Sequence, residues 1–240
     1  TDVDGVYTTD PRIVPKAQRI EKISYEEMLE MASLGAKVLQ TRSVEMAMNH
    51  RVPIRVLSSF AEVGADNSGT LVCDEDEIME KQVVSGIAYS RDEAKISLLG
   101  VSNHPGIAAD IFSRLAEANV NVDMIVQARA RSGGSVVECS VAGRDLPRAL
   151  AAAEGAARPN GLEVRSETGL AKVSVVGTGL RGRADVARTL YGVLAGEKIA
   201  VRMTATSEIK ISALVDADHL EHAVRALHAA YRLGSAVSQA

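Results

Sequence analysis

The spacing of apolar residues predicts two helices and a strand in the first part of the chain. Residues 24–27 read S-x-x-E, which is a capping box, and the apolar residues within 28–32 follow at helical spacing. The same spacing predicts a second helix over 37–48, and the sequence P-I-R-V-L-S at 53–58 is typical of a strand. Residues 62–77 mix Gly, Asp, Asn and Ser around a short apolar T-L-V-C. We interpret this stretch as a domain boundary followed by a linker.

The rest of the chain contains two stretches that resemble each other. Residues 94–100 read A-K-I-S-L-L-G, and residues 171–177 read A-K-V-S-V-V-G. After each stretch the pattern predicts a helix, two strands and a second helix, with one further strand for each unit. The predicted strands are 83–89, 120–124, 134–141, 162–165, 199–203 and 208–215, and the predicted closing helices are 146–157 and 218–233. Two such βαββαβ units are ferredoxin-like, so we predict an α/β chain with domains at 1–69, 81–167 and 168–240.

The composition argues against several classes of partner and site. Lys and Arg number 27 and Asp and Glu 31, so the formal net charge is −4 and gives no reason to expect nucleic acid or an anionic membrane. Aromatic residues make up only 3%, which disfavours a base-stacking platform. Cys73 and Cys139 lie far apart in apolar stretches, which is typical of a reduced cytoplasm. The chain begins at Thr1 without an initiator Met, and we expect it to be a piece of a longer protein.

The first twelve residues, T-D-V-D-G-V-Y-T-T-D-P-R, and the sequence G-A-K-V at 35–38 resemble the end of the catalytic domain of aspartate kinases. The duplicated units resemble the paired ACT domains that sense amino acids in that family. The resemblance extends over essentially the whole chain. It implies the C-terminal fragment of an amino-acid-kinase domain followed by two ACT units. It also implies ATP-dependent phosphorylation of the aspartate side chain, with Mg²⁺ accompanying ATP, in lysine, threonine and methionine synthesis.

Side chains in the first segment suit a nucleotide. Arg12 and Lys37 can pair with phosphates, Asp2 can hydrogen-bond an adenine or ribose edge, and Tyr7 offers a face for the base. The alternative is a Gly/Pro turn with a solvated Arg and Lys. The resemblance assigns ATP to Thr1, Asp2, Tyr7, Arg12, Lys37 and Val38. It places the phosphate loop and the aspartate-binding residues ahead of Thr1, so we expect no catalytic residue in this chain and no turnover by it alone.

A second group of residues suits a free amino acid. Pro105 and Gly106 open a predicted helix whose free N–H groups can accept a carboxylate, and Asn103, Asn121 and Asp123 can satisfy an ammonium group. Gln127 can reach a side-chain hydroxyl. The alternative is that Asn103 caps the helix and the strand end is merely solvated. The resemblance implies lysine or threonine as effector, bound by Ser102, Asn103, Pro105, Gly106, Ile107, Ala108, Asn121, Val122, Asp123, Gln127, Thr206, Ser207 and Glu208.

The second unit departs from the pattern of the family. Ala200 and Arg202 replace an Asn and an acidic residue, and R-G-R at 181–183 replaces His-Pro-Gly. We therefore hypothesise that the second unit has lost normal effector recognition, which leaves a site centred on the first unit. In the first unit, Asn103 stands where the family usually has Asp.

The sequence G-T-G-L-R-G at 177–182 also matches a dinucleotide-binding fingerprint. We disfavour that interpretation because Asp185, in the first turn of the following helix, would repel a pyrophosphate. The strand that follows also lacks the acidic residue that would bind a ribose.

Three functions remain open. The first is an aspartate kinase that carries its regulatory region, as a homo-oligomer or with a catalytic subunit through exposed ACT edge strands. The second is a non-catalytic regulatory subunit that binds threonine or lysine. The third is a specialised aspartate kinase that has lost feedback control. None of them requires a metal site in this chain, nucleic acid or a membrane, and we expect the protein in the cytoplasm.

Overall fold

A computed structural model describes residues 1–34, 38–61, 68–78, 82–101, 105–129, 134–180 and 182–235. The helices are α1 (Tyr25–Ser33), α2 (Thr41–His50), α3 (Pro105–Glu117), α4 (Leu146–Asn160), α5 (Ala184–Gly196) and α6 (Leu220–Ala230). The strands are β1 (Lys22–Ser24), β2 (Ile54–Val56), β3 (Thr70–Cys73), β4 (Gly86–Val101), β5 (Val122–Arg129), β6 (Ser135–Ala142), β7 (Glu163–Val176), β8 (Met203–Thr206) and β9 (Lys210–Asp216). No helix among these residues is long and apolar enough to cross a membrane.

The first part of the chain folds around a small three-stranded sheet in the order β1-β3-β2. The predicted capping box of α1 is confirmed, since Ser24 Oγ accepts from the Glu27 N–H at 3.2 Å and the Glu27 carboxylate accepts from the Ser24 N–H at 3.2 Å. The buried side chains of Ile23, Met28 and Val44 form the core between this sheet and its two helices.

The interpretation of T-L-V-C as part of a linker is wrong. These residues form β3, the central strand, which runs parallel to β1 and antiparallel to β2. Thr70, Val72 and Cys73 have no exposed surface, and the Thr70 hydroxyl donates to the Ile20 carbonyl at 2.6 Å. A run of only four residues is too short to show the alternation that identifies a strand. Whether it is buried depends on strands from elsewhere in the chain. The first domain therefore extends beyond the predicted end at residue 69.

The remaining strands form one six-stranded antiparallel sheet in the order β5-β6-β4-β7-β9-β8. Helices α3 and α4 cover one half of the sheet, around the buried side chains of Ile96, Ile111 and Val141. Helices α5 and α6 cover the other half, around residues such as Leu190 and Leu227. The predicted pair of ferredoxin-like units is thus confirmed. We call the half with α3 and α4 the first unit and the half with α5 and α6 the second unit.

The two units share the long strands β4 and β7. Residues 86–90 of β4 pair with 172–176 of β7, on the side of the second unit, whereas 93–99 pair with 163–170, on the side of the first. The strand predicted at 83–89 therefore completes the second unit, and the first unit is inserted into it. The strand predicted at 162–165 runs on to Val176 and passes through the division predicted at residue 167. The similarity of the two repeats predicts one further strand for each unit. It does not show whether that strand comes from before or after the unit in the sequence.

Strand β5 also differs from the predicted strand at 120–124. Its register against β6 shifts between Val122 and Ile125, and Met124 packs with Leu170, Met203 and Leu214 of the second unit. The predicted strand at 199–203 contributes only its last residue to β8. The packing of Met124 is a contact between units, which the sequence of either unit does not contain.

The helix-free face of the sheet in the second unit is covered from two sides. Helix α1 packs there through Met31, which shares a buried cluster with Ala88 and Val176. Strand β5 covers the other end of the face through Met124. Helix α1 and strand β5 of the first unit therefore rest on the same surface of the second unit.

Candidate nucleotide and effector sites

Arg12 presents an exposed guanidinium that is already paired. Its side chain is 89% exposed, and its Nε and Nη2 lie 3.0 and 2.8 Å from the two carboxylate oxygens of Asp10. The pair lowers the pKa of Asp10 to about 2, since the hydrogen bond from Arg12 favours the charged carboxylate. Tyr89 also donates to Asp10, at 2.8 Å. An anionic ligand would have to share Arg12 with Asp10 or displace it.

Tyr7 lies next to this pair in sequence but is held differently. Its hydroxyl donates to Asp4 Oδ1 at 3.0 Å, and its ring packs partly buried against the core of the second unit. Burial is the main reason that its pKa is raised. Part of the aromatic face that a base would need is therefore used for packing.

The other predicted nucleotide residues are only partly described. The Thr1 hydroxyl donates to Asp2 Oδ1 at 3.2 Å, and the Ser59 N–H donates to the Thr1 carbonyl at 2.8 Å. Asp2 lies near enough to Arg12 for its charge to contribute, as the smallest cause, to the raised pKa of that residue. Val38 packs against the core that contains Ile23 and Met28. Lys37 lies outside the described residues.

The donor set suits phosphate better than a metal ion. A guanidinium fork is a good partner for phosphate oxygens. Within the described residues, no group of three or more His, Cys, Asp or Glu side chains could hold a metal ion.

The predicted effector site of the first unit lies around α3 and β5. Helix α3 begins at Pro105, while Ser102 and Asn103 lie outside the described residues. Gly106 is exposed, and Ile107 and Ala108 are half-buried. Asn121, immediately before β5, and Gln127 on β5 are exposed, and Val122 packs against the core.

Asp123 does not offer a free carboxylate. It makes a close ion pair with Lys172, and its second oxygen lies 3.9 Å from Lys210 Nζ. Lys172 is also paired with Glu93 at 3.1 Å. Burial by itself would lower the pKa of Lys172, but the charges of Glu93 and Asp123 outweigh burial and raise it, so this lysine stays charged.

Thr206, at the end of β8, and Ser207 and Glu208, in the turn to β9, are exposed. The Ser207 hydroxyl accepts from the Lys210 N–H at 3.1 Å. Together with Arg183 and other residues of the second unit, the turn lines a cavity of about 460 Å³ at the start of α5. The described lining of this cavity comes from the second unit alone.

The two arginines that depart from the family pattern in the described part of the second unit are both neutralised. Arg202 pairs with Asp216 through two contacts of 3.1 Å, and Arg183 pairs with Asp185 at 2.9 and 2.8 Å. Neither arginine presents an unpaired charge to a ligand. Whether the second unit has lost effector recognition stays a prediction.

The start of the glycine-rich loop, residues 177–179, packs against the chain instead of opening toward a ligand. A Cβ on Gly177 would lie 2.3 Å from the Val83 carbonyl oxygen, and one on Gly179 would lie 2.7 Å from Val83 Cα. The Thr178 N–H donates to Glu27 Oε1 at 2.9 Å. A carboxylate of the protein thus occupies a backbone donor that a pyrophosphate would need, which agrees with the argument against a dinucleotide.

The sequence did not identify four of the charged residues that surround Asp123. These are Glu30, Glu93, Lys172 and Lys210. Of these, only Lys172 could have been suspected from the sequence. It lies in an apolar strand of the repeat, where a buried lysine needs a partner of opposite charge. The others come from separate elements that only the fold brings together.

Comparison with known proteins agrees with this architecture. Residues 1–58 match the amino acid kinase family, and residues 96–157 and 173–231 match the ACT domain. An aspartate kinase from Pseudomonas putida is 49% identical over 241 residues, which cover 100% of this chain and 58% of that protein. The chain therefore spans a little over half the length of that relative.

Two solved structures place the similarity in three dimensions. E. coli aspartokinase III in complex with aspartate and ADP superposes with a TM-score of 0.79 at 30% identity, over 96% of this chain and 51% of that one. The regulatory subunit of aspartate kinase from Thermus thermophilus superposes with a TM-score of 0.59 at 36% identity, over 62% of this chain and 99% of that one. We call residues 1–58 the kinase segment. With the kinase segment and both ACT domains matched, the chain belongs to the aspartate kinase family.

Proposed function

We propose that this chain is the nucleotide-contacting and regulatory part of an aspartate kinase, which transfers phosphate from ATP to the side-chain carboxylate of aspartate. The observation that carries the proposal is the 49% identity with an aspartate kinase across the kinase segment and both ACT domains together. The E. coli enzyme with bound aspartate and ADP supports the same reaction.

In this proposal the kinase segment binds part of ATP. Arg12 leaves Asp10 to pair with phosphate oxygens, Tyr7 contacts the base, and Thr1, Asp2, Lys37 and Val38 complete the site. Phosphoryl transfer depends mainly on positioning and on cations that neutralise the phosphates. Mg²⁺, when bound, would supply further positive charge at the phosphates.

We propose that the chain by itself does not turn over. The test is a chimera in which the part of the Pseudomonas putida enzyme that precedes the matched region is joined ahead of Thr1. The chimera should release ADP only when aspartate is present, and the isolated chain should release none.

In the chimera, Arg12→Ala should raise the KM for ATP about tenfold or more. Arg158→Ala, an exposed change on α4, should leave the KM unchanged.

The alternative is a regulatory subunit without catalysis. The similarity to the regulatory subunit from Thermus thermophilus favours it, although that similarity covers 62% of this chain. A folded chimera without kinase activity, together with threonine or lysine binding by the chain, would favour this alternative.

We propose that the regulatory part senses threonine or lysine near α3 and Asp123. Calorimetric titration of the chain with each amino acid should show saturable heat for at least one of them. Asp123→Asn should weaken binding about tenfold or more, because the ammonium loses its carboxylate partner. Glu154→Gln removes an exposed carboxylate on α4 and should bind like the unmodified chain. If neither amino acid gives heat with folded protein, this sensing role is wrong.

We also propose that the chain associates with a second copy through strand β5. This strand is an edge of the six-stranded sheet, and Ile125 on it is 52% exposed. An exposed edge strand with apolar side chains pairs readily with another chain.

A further inference from the structure

Five charged side chains form a network that joins the kinase segment to both units. Lys172 on β7 pairs with Glu93 on β4 and with Asp123 on β5. Lys210 on β9 lies 3.9 Å from Asp123 and 2.9 Å from Glu30 on α1. We call these five residues the charge network.

The charge network lies between two apolar contacts. On one side Met124 of β5 packs on Leu170 and Leu214, and on the other side Met31 of α1 packs with Val176. In the antiparallel register, Lys172 stands opposite Leu214 and Lys210 stands opposite Val176. The network therefore follows the face on which both β5 and α1 rest.

The net charge of the network favours one additional cation. Its three carboxylates and two ammonium groups leave a formal charge of −1. The side chain of Asp123 is 38% exposed, against 6% for Glu93 and 21% for Glu30. A cationic group from solvent therefore meets Asp123 before it meets the rest of the network.

The ammonium group of Lys210 is shared between two carboxylates that belong to different parts of the protein. Asp123 belongs to the first unit and Glu30 to the kinase segment. Because a single ammonium group divides its interaction between them, a change in the charge at one carboxylate changes the pairing at the other.

We propose that Lys210 couples a ligand at Asp123 to the docking of α1 in the kinase segment. An ammonium group bound to Asp123 releases Lys210 to Glu30, and α1 is then held more tightly on the sheet. The ligand class is an α-amino acid, so the inference rests on the proposed sensing at Asp123. The coupling between Asp123 and Glu30 also exists without ligand.

The first test needs no ligand. Asp123→Asn removes the same charge that a bound ammonium would neutralise, so amide hydrogen exchange in α1 should slow about threefold. Glu30→Gln should speed exchange in α1, and in the double variant the effect of Asp123→Asn should disappear.

Lys210→Gln should also abolish the effect of Asp123→Asn, which provides a second route if one variant is poorly folded. Glu45→Gln on α2 is the matched control and should leave the effect intact. An equal effect of Asp123→Asn with and without Glu30, or no effect at all, would overturn the coupling.

The second test uses threonine and lysine as probes. Glu30→Gln lies in the kinase segment, yet it should weaken binding about three- to tenfold, because Lys210 then turns to Asp123 and competes with the ligand. Unchanged affinity in Glu30→Gln would overturn the coupling. If the unmodified chain binds neither amino acid, the sensing proposal fails, and the ligand-free exchange test decides the coupling independently.

Discussion

At the scale of the residue, Glu27 links the kinase segment to the second unit. Its side chain closes the capping box of α1, accepts from the Ser85 hydroxyl at 2.5 Å and accepts from the Thr178 N–H at 2.9 Å. The residue is only 4% exposed. One buried carboxylate therefore satisfies donors from three segments of the chain.

Replacing Glu27 should cost considerable stability. Glu27→Ala leaves the Ser85 hydroxyl and the Thr178 N–H without their acceptor and removes half of the capping box. We expect the free energy of unfolding to fall by about 2–4 kcal/mol in urea denaturation. Glu45→Ala, at an exposed position on α2, should change it by less than about 0.5 kcal/mol. Equal effects of the two changes would contradict the bridging role.

His228 is a second buried contact between the kinase segment and α6. It is 2% exposed, and its Nε2 lies 2.9 Å from the Thr8 hydroxyl. Burial lowers its pKa below the ordinary value of 6.5. The unfolded chain therefore takes up a proton at a higher pH than the folded one.

This difference predicts a loss of stability as the pH falls below about 6.5 toward the lower pKa of the folded state. Above that window both states carry a neutral imidazole, and His228 adds no pH dependence. Chemical denaturation between pH 7 and 5 should therefore show a decline that is smaller in His228→Gln. His50→Gln, at an exposed site, should keep the full decline. The same decline in both variants would show that His228 does not cause it.

At the scale of the element, close approach of backbones explains the glycine-rich loop better than ligand binding does. The turn Thr178–Leu180 follows β7 and rests on residues 83–84. Because those residues lead into β4, the loop packs the start of one shared strand against the end of the other. A side chain at Gly177 would separate them.

Two glycine substitutions separate packing from flexibility. Gly177→Ala should destabilise the chain by about 1–3 kcal/mol, because its Cβ would lie 2.3 Å from a backbone oxygen that cannot move independently. Gly192→Ala, inside α5 with open space around it, should stabilise the chain by about 0.5–1 kcal/mol. Thermal unfolding should shift in opposite directions for the two variants, and a shift in the same direction would argue against the packing role.

At the scale of the whole molecule, the shared strands join the two units. Strands β4 and β7 each pass through both halves of the sheet, so the first unit is a continuous insertion and the second unit is assembled from the chain on either side of it. Edge strand β5 belongs to the first unit, and it also covers the second unit through Met124.

The proposed association through β5 predicts a specific effect on oligomeric state. Ile125→Arg places a charge at the exposed edge and should weaken self-association about tenfold or more in sedimentation velocity. Met46→Arg changes a side chain on α2 that is 57% exposed and should leave association unchanged. Weaker association in both variants would indicate nonspecific contacts, and none in either would argue against an interface at β5.

The sequence by itself determined the elements that depend on local pattern. The capping box at Ser24 and Glu27, the helices with a clear apolar period and the repeat around Lys95 and Lys172 are all confirmed. The duplicated repeat was sufficient to predict two ferredoxin-like units, because each unit carries its own hydrophobic period. The motifs at residues 1–12 and 35–38, together with the duplicated units, indicated the family.

Tertiary structure alone decided which parts belong together. Burial of T-L-V-C as a central strand, the exchange of flanking strands and the pairing of Asp123 with two lysines all join residues that are distant in sequence. Asp123, the predicted partner of an ammonium group, is thereby part of the charge network. The loop that resembles a dinucleotide-binding fingerprint packs against the chain, and its Thr178 N–H donates to Glu27. Local pattern reports whether a residue prefers burial, a turn or solvent, whereas the identity of its partner depends on how the whole chain folds.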